Sequence, residues 1–148
     1  MNEYAYLHEA ASTSTDIELG VPASSEIIAG AEQILGDFPE DYRRFLGEVG
    51  WCGIWDSEVF GLGPGIPSYL DVVALATSEH TDYGLPSHLI PVMNNGAGDL
   101  TCIDKRRFDS VERTAPMVIW YHETSPSEGP VDVADSFSGW LKGLLADS

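Results

Sequence analysis

A chain of 148 residues with 24 acidic and 7 basic side chains carries a formal charge of −17. The length fits one domain with a proper core, the charge repels phosphate backbones and so argues against nucleic acid as a direct partner, and no apolar run is long enough to span a bilayer. The acidity suits attraction to a basic protein; it suits solubility or an acid-rich host proteome equally well.

The opening MNEYAYLHEAASTSTDIELG has no basic start and no apolar signal core, so a cytoplasmic protein is expected. Within it, ASTSTDIELG is polar, lacks an apolar period and reads as loop. SSEIIAGAEQILG then opens on serine, a good helix cap. It puts Ile28, Ala31 and Leu35 on one face, and Gly36 can end it. In FPEDYRRFLGEVG, Pro39 suits the first helical position. Glu40 and Asp41 sit at the positive end of the helix dipole, and Tyr42, Phe45, Leu46 and Val49 form one apolar stripe. Glu40 can pair with Arg44 one turn on.

WCGIWDSEVFGLGPGIP reads as one or two short strands broken by glycine. SYLDVVALATSEH, with Leu70, Val73, Ala74 and Thr77 at helical spacing, reads as a helix. HLIPVM is a buried strand whose Pro91 points to an edge or a bulge. DLTCID and APMVIWYHE are further strands, the latter rich in β-branched and aromatic residues. The last segment, VADSFSGWLKGLLADS, is a helix capped by Asp135 or Ser136, with Phe137, Trp140, Leu141, Leu144 and Leu145 as a wide apolar face. Gly139 and Gly143 weaken it by up to ~1 kcal/mol each relative to alanine.

The glycine stretch MNNGAGDLTCID, residues 93–104, is a turn between strands. A phosphate loop would run from a strand into a helix. Here the segment that follows has β-character and no lysine lies near the turn. Asn94, Asn95, Gly96 and Gly98 tolerate the positive φ that such a connection needs. Asp99 and Asp104 flank the returning strand without further clustered ligands, so no metal site is assigned.

His8, His80, His88 and His122 are scattered, and neither Cys52 nor Cys102 has a C-x-x-C partner. The two cysteines read as buried free thiols, and His122 as a strand-end residue bonded to backbone. No G-x-S-x-G elbow exists. No catalytic residue and no cofactor is assigned, and the chain is read as a binding protein rather than an enzyme. Trp120 and Trp140 sit in apolar patterns and read as core. Trp51 and Trp55, in GWCGIWDSE, read either as core or as an exposed anchor ringed by Asp56 and Glu58. The latter suits a protein-binding hot spot.

Four pieces, in order, resemble the SUKH superfamily (the Smi/Knr-like domain) between residues 26 and 145: LGDFPEDYRRFLGEVG, LPSHLIPVMNNGAGDLTCID, PMVIWYHE and VADSFSGWLKGLL. Phe38 stands where leucine is usual, residues 51–68 fit loosely where members vary, and the first twenty residues have no assigned counterpart. The resemblance implies an α+β fold, a central, largely antiparallel sheet with helices packed against it. It divides the chain into a partly irregular extension, 1–23, and one SUKH-like domain, 24–148. It also implies a role common in bacteria: an immunity protein that binds and neutralises a cognate secreted polymorphic toxin, often a nuclease. The alternative is a regulatory protein–protein interaction module of the same fold. The expected partner is a basic toxin domain, with no direct nucleic acid and no membrane, and the chain itself a monomer or weak dimer. The residues assigned to partner binding are Trp51, Trp55, Asp56, Glu58, Asp71, Glu79 and Asp82.

Overall fold

The computed structural model describes residues 3–121 and 129–147. Helices α1 (Ala5–Thr13), α2 (Ser25–Leu35), α3 (Glu40–Glu48), α4 (Val72–Asp82) and α5 (Phe137–Ala146) accompany two antiparallel sheets. The first orders β1 (Ile17–Leu19), β2 (Cys52–Ile54) and β3 (Ser57–Val59). The second orders β4 (Leu89–Asn94), β5 (Leu100–Asp104), β6 (Met117–Trp120) and β7 (Val131–Ala134). The fold is therefore α+β, with the expected antiparallel strands divided between two sheets. The Phe60 N–H donates to the Val92 carbonyl at 2.8 Å and joins the sheets where β3 runs past β4. Among the described residues no helix is long and apolar enough to cross a membrane.

The helices begin and end for local reasons. Ser24 Oγ accepts the Ile27 N–H at 3.2 Å and caps α2, and Gly36, at φ +86°, ends it. Pro39 is the cap of α3 rather than its first helical residue. Tyr42, Phe45, Leu46 and Val49 are all fully buried, as their spacing predicts. Arg44 meets Glu40 at 3.3 Å. Ser136, not Asp135, caps α5 by accepting the Gly139 N–H at 3.1 Å.

Helix α4 is where expected, but its buried face is not. Val72 and Ala76 are buried, whereas Ala74 and Thr77 face water. Residues 72–76 are all apolar, so periodicity could not choose among them; packing against α2 and β4 chose. Strand β7 has no counterpart among the elements expected from sequence: it is largely exposed and recognisable only by its pairing with β6. Arg107, in the 3-10 turn Lys105–Arg107, clamps it by reaching Asp132 at 2.6 Å and Asp104 at 2.9 Å.

Residues 1–23 contain α1 and β1. Tyr4 and Leu7 are fully buried in the main core, and the Tyr4 hydroxyl donates to the Asp41 carbonyl at 2.6 Å. Strand β1, within the stretch read as loop, pairs Ile17 with Ile54 and Leu19 with Cys52.

The main core centres on stacked and edge-on rings. Tyr42 lies 4.8 Å and Phe45 5.1 Å from Phe137, centroid to centroid. A smaller cluster, Leu85, Leu89, Leu100, Cys102 and Val118, fills the other face of the four-stranded sheet, with Trp120 packed against it. Strand β5 is buried along its whole length because the two clusters cover its two faces. Trp120 and Trp140 are thus only partly buried, each at a cluster's margin.

The glycine stretch is the β4–β5 connection. Gly96 and Gly98 take φ of +88° and +94°. The asparagines act instead through their side chains: Asn94 Oδ1 accepts the Gly96 N–H at 2.7 Å and Asn95 Oδ1 the Ala97 N–H at 2.8 Å. The ladder shifts register between Pro91 and Met93, and β4 is an edge strand, so Pro91 meets both of its expectations.

Asp41 ties two helix starts together. Its carboxylate accepts the Tyr42 N–H at 2.9 Å and the Ser138 N–H at 3.0 Å. Burial pushes the carboxyl above its ordinary value of 3.8, and the Ser138 and Tyr42 donors pull it back only in part. The folded chain therefore holds this proton to higher pH than the unfolded chain. The stability Asp41 contributes is fully present below pH 3.8 and is lost as pH rises through the folded value. Thermal midpoints of the wild type and Asp41→Asn, measured from pH 4 to 7, are expected to diverge in slope, the wild type falling more steeply towards neutrality. Parallel profiles would remove Asp41 as the source.

Candidate protein-binding surface

The outer face of the first sheet follows from strand alternation. Ile17, Cys52, Ile54 and Val59 point inward and are buried, so their neighbours point out. Pairing sets Glu18 opposite Gly53 and Gly53 opposite Glu58. The two glutamates thus share one face, on either side of Gly53, which is itself buried.

Trp55 and Asp56 are the two-residue loop joining β2 to β3, since Ile54 pairs with Ser57. Only the first of them has positive φ, +56°. The Trp55 N–H donates to the Asp16 carbonyl at 2.9 Å, which holds the loop beside the start of β1. The indole is 50% exposed. A hydrogen bond from its backbone N–H, rather than burial of the ring, fixes the residue's place. Asp16, Glu18, Asp56 and Glu58 are exposed as well. No lysine or arginine occurs between residues 45 and 104, nor before Arg43. The sheet therefore carries no basic side chain.

The seven assigned residues divide between two elements. Trp55, Asp56 and Glu58 lie on the hairpin. Trp51, at its base, is partly buried against the core, and its carbonyl accepts the Gly20 N–H at 2.7 Å. A side chain at position 20 would run into the indole. Asp71, Glu79 and Asp82 belong to α4. Asp71 caps that helix, accepting the Val73 and Ala74 N–H groups at 2.8 and 3.2 Å. Burial pushes the Glu79 carboxyl up, with His80 opposing, and Asp82 is exposed. Asp16 and Glu18 were missed. The alternation in DIEL was the available signal, but three residues are too few to read as a strand.

Other candidate groups are taken up structurally. His8 Nε2 contacts the Glu48 carbonyl at 3.2 Å and His80 Nε2 the Leu89 carbonyl at 2.8 Å. His122 lies outside the described residues. Cys52 and Cys102 are free, buried thiols. Asp104 is buried and holds Arg107 and the Arg106 N–H.

Lys142 apart, the basic side chains gather elsewhere, on α3, the 3-10 turn and the loop after it. There a cleft of about 510 Å³ lies between the start of α3 and residues 105–113.

No curated protein matches this chain. The family model SUKH_5, described as SMI1-KNR4 cell-wall, matches residues 1–146. The match takes in the first twenty residues, which have no counterpart in the motifs read from sequence, and the loosely fitting segment that forms the acidic hairpin. By that match the chain belongs to the SUKH_5 family of the SMI1-KNR4 group, within the SUKH superfamily.

Proposed function

We propose that this chain is an immunity protein. It binds a cognate secreted toxin domain, holds it on the outer face of β1–β2–β3, and blocks it without catalysing any reaction. The observation that carries the reading is an exposed Trp55 in the loop of a small sheet on which Asp16, Glu18, Asp56 and Glu58 are also exposed and which has no basic residue.

The physics supports a basic partner. Acidic groups on one face raise the encounter rate with a cationic surface and lose that advantage as salt rises. A nuclease toxin presents such a surface, because its substrate is polyanionic. Covering that cleft with carboxylates denies it to nucleic acid. A half-exposed indole in the hairpin loop supplies the contact that aromatic anchors provide when desolvated in protein interfaces.

The test is co-expression with the product of the neighbouring gene, scored by growth rescue where that product is toxic and by isolation of the complex. Trp55→Ala is expected to weaken the complex by about 2 kcal/mol or more, the scale of a hot-spot aromatic. Asp56→Lys with Glu58→Lys is expected to slow association and flatten its salt dependence. Unchanged affinity and salt dependence in these variants would place the contact elsewhere. The alternative is a regulatory interaction module of the same fold, and a chain that neither rescues growth nor binds the neighbouring product fits that reading instead.

A further inference from the structure

We infer that the cleft between α3 and residues 105–113 is a binding site for a carboxylate attached to an apolar body, with Arg113 as its anchor. The site lies apart from the acidic hairpin and does not depend on the immunity reading.

Three of the chain's basic side chains, Arg43, Lys105 and Arg113, line this cleft. Two are already engaged. Arg43 reaches Glu32 at 2.7 Å and Glu40 at 2.9 Å. The Lys105 ammonium donates to the Leu35 carbonyl at the end of α2 and faces Asp37. Arg113 is different. It forms only a loose ion pair with Glu40, at 3.8 Å, beyond hydrogen-bond range. Glu40 Oε2 is taken by Arg43 and Oε1 by Arg44. The planar fork of Arg113, 64% exposed and paired only loosely, can turn its donors to a ligand.

Its backbone, by contrast, is held firmly. The Arg113 carbonyl accepts the Glu40 N–H at 3.0 Å, and its N–H donates to the Asp109 carbonyl at 2.7 Å. Asp109 Oδ1 in turn accepts the Val111 and Glu112 N–H groups at 2.8 and 3.1 Å. The backbone is thus ordered before a ligand arrives, and only the exposed side chain has freedom left to lose on engaging one.

The rest of the cleft selects among anions. Phe108, 46% exposed, offers an apolar surface beside the fork, whereas Phe38 lines the cleft but is almost wholly buried. Asp37 and Glu40 also line it. They oppose a phosphate dianion more than a carboxylate, which carries one charge and matches the fork with two parallel bonds. The volume, about 510 Å³, is that of a small-ligand site. The carboxylate can come from a free aromatic or aliphatic acid, or from the C-terminus of a polypeptide.

The experiment follows backbone amide resonances of Glu40, Phe108, Ser110 and Arg113 in the full chain. The probes are 3-phenylpropionate, N-acetyl-Ala-Ala-Phe with a free C-terminus, the same peptide amidated, and inorganic phosphate. Saturable shifts at these amides are expected with the two carboxylates, the tighter of the two identifying the source. Amidation and Arg113→Gln should each weaken binding by roughly tenfold to a hundredfold, the scale of a lost charge-assisted pair. Arg113→Lys keeps the charge but not the fork and should fall between. Unchanged resonances outside the cleft show that the variants fold. No saturable shift with either acid, equal binding of the amide or of Arg113→Gln, or tighter binding of phosphate overturns the assignment.

Discussion

Phe137→Ala is expected to lower the stability of this domain by about 3–5 kcal/mol, the range for truncating a buried phenylalanine. Phe137 is fully buried at the first position of α5. Its ring meets Tyr42 at 4.8 Å and 71°, Phe45 at 5.1 Å and 61°, and Trp140 at 5.7 Å. Edge-on pairs of this kind add about 0.5–1.5 kcal/mol beyond the area they bury. The ring also joins α5 to α3, the same junction that Asp41 bridges through the Ser138 N–H. Closing the cavity would pull on that hydrogen bond, so little relaxation is available. With total stabilities of about 5–15 kcal/mol for domains in general, the variant should show a large fall in its urea midpoint. A loss below about 1 kcal/mol, far under the cavity range, would show that α5 is not fastened to the core through this ring.

The second large effect is expected at Gly61→Ala, a destabilisation of about 3 kcal/mol at the top of the overpacking range. The cause is space. A Cβ at position 61 would overlap the Gly50 carbonyl oxygen and come within 2.8 Å of its carbon. Both neighbours are backbone, so no side chain can swing away. The crossing is also pinned from several sides. The Leu62 N–H donates to the Gly50 carbonyl at 3.0 Å, the Gly61 N–H to Leu70 at 2.9 Å, and the Val72 N–H to the Gly61 carbonyl at 2.9 Å. These bonds set the start of α4 against the end of β3. The control is Gly30→Ala in α2, where nothing lies within 4 Å of the added Cβ. There the same substitution should stabilise the protein by up to ~1 kcal/mol through helix propensity. Equal effects at the two positions would show that crowding at Gly61 is not the deciding term.

What the amino-acid sequence reveals depends on how local each feature is. Helices α2 and α3 are legible because cap, stripe and stop lie within about a dozen residues; Tyr42, Phe45, Leu46 and Val49 are buried as their spacing implies. Helix α4 is legible as a helix but not in its orientation, since its first five residues are all apolar. Strands β1 and β7 escape because three or four residues carry little periodicity, and their partners are remote or shallow. The hairpin's Trp55, Asp56 and Glu58 can be picked out as an acid-flanked aromatic. Asp16 and Glu18 cannot, because they join that group only through pairing with residues more than thirty positions away. The Arg113 cleft is hidden for the same reason. Its two walls, residues 37–43 and 105–113, meet only through tertiary contacts such as the Glu40 N–H to the Arg113 carbonyl.

The two cysteines sit one in each sheet, Cys52 in the main core and Cys102 in the smaller cluster. Burial pushes the Cys52 thiol up to about 12, and burial, with Glu79 and Asp104 nearby, pushes Cys102 up as well. Neither forms appreciable thiolate at neutral pH while enclosed, so alkylating reagents can modify them only during transient opening. Each sulfur therefore keeps a separate clock on its own half of the molecule. Comparing the two labelling rates would tell whether the halves breathe together or one loosens before the other.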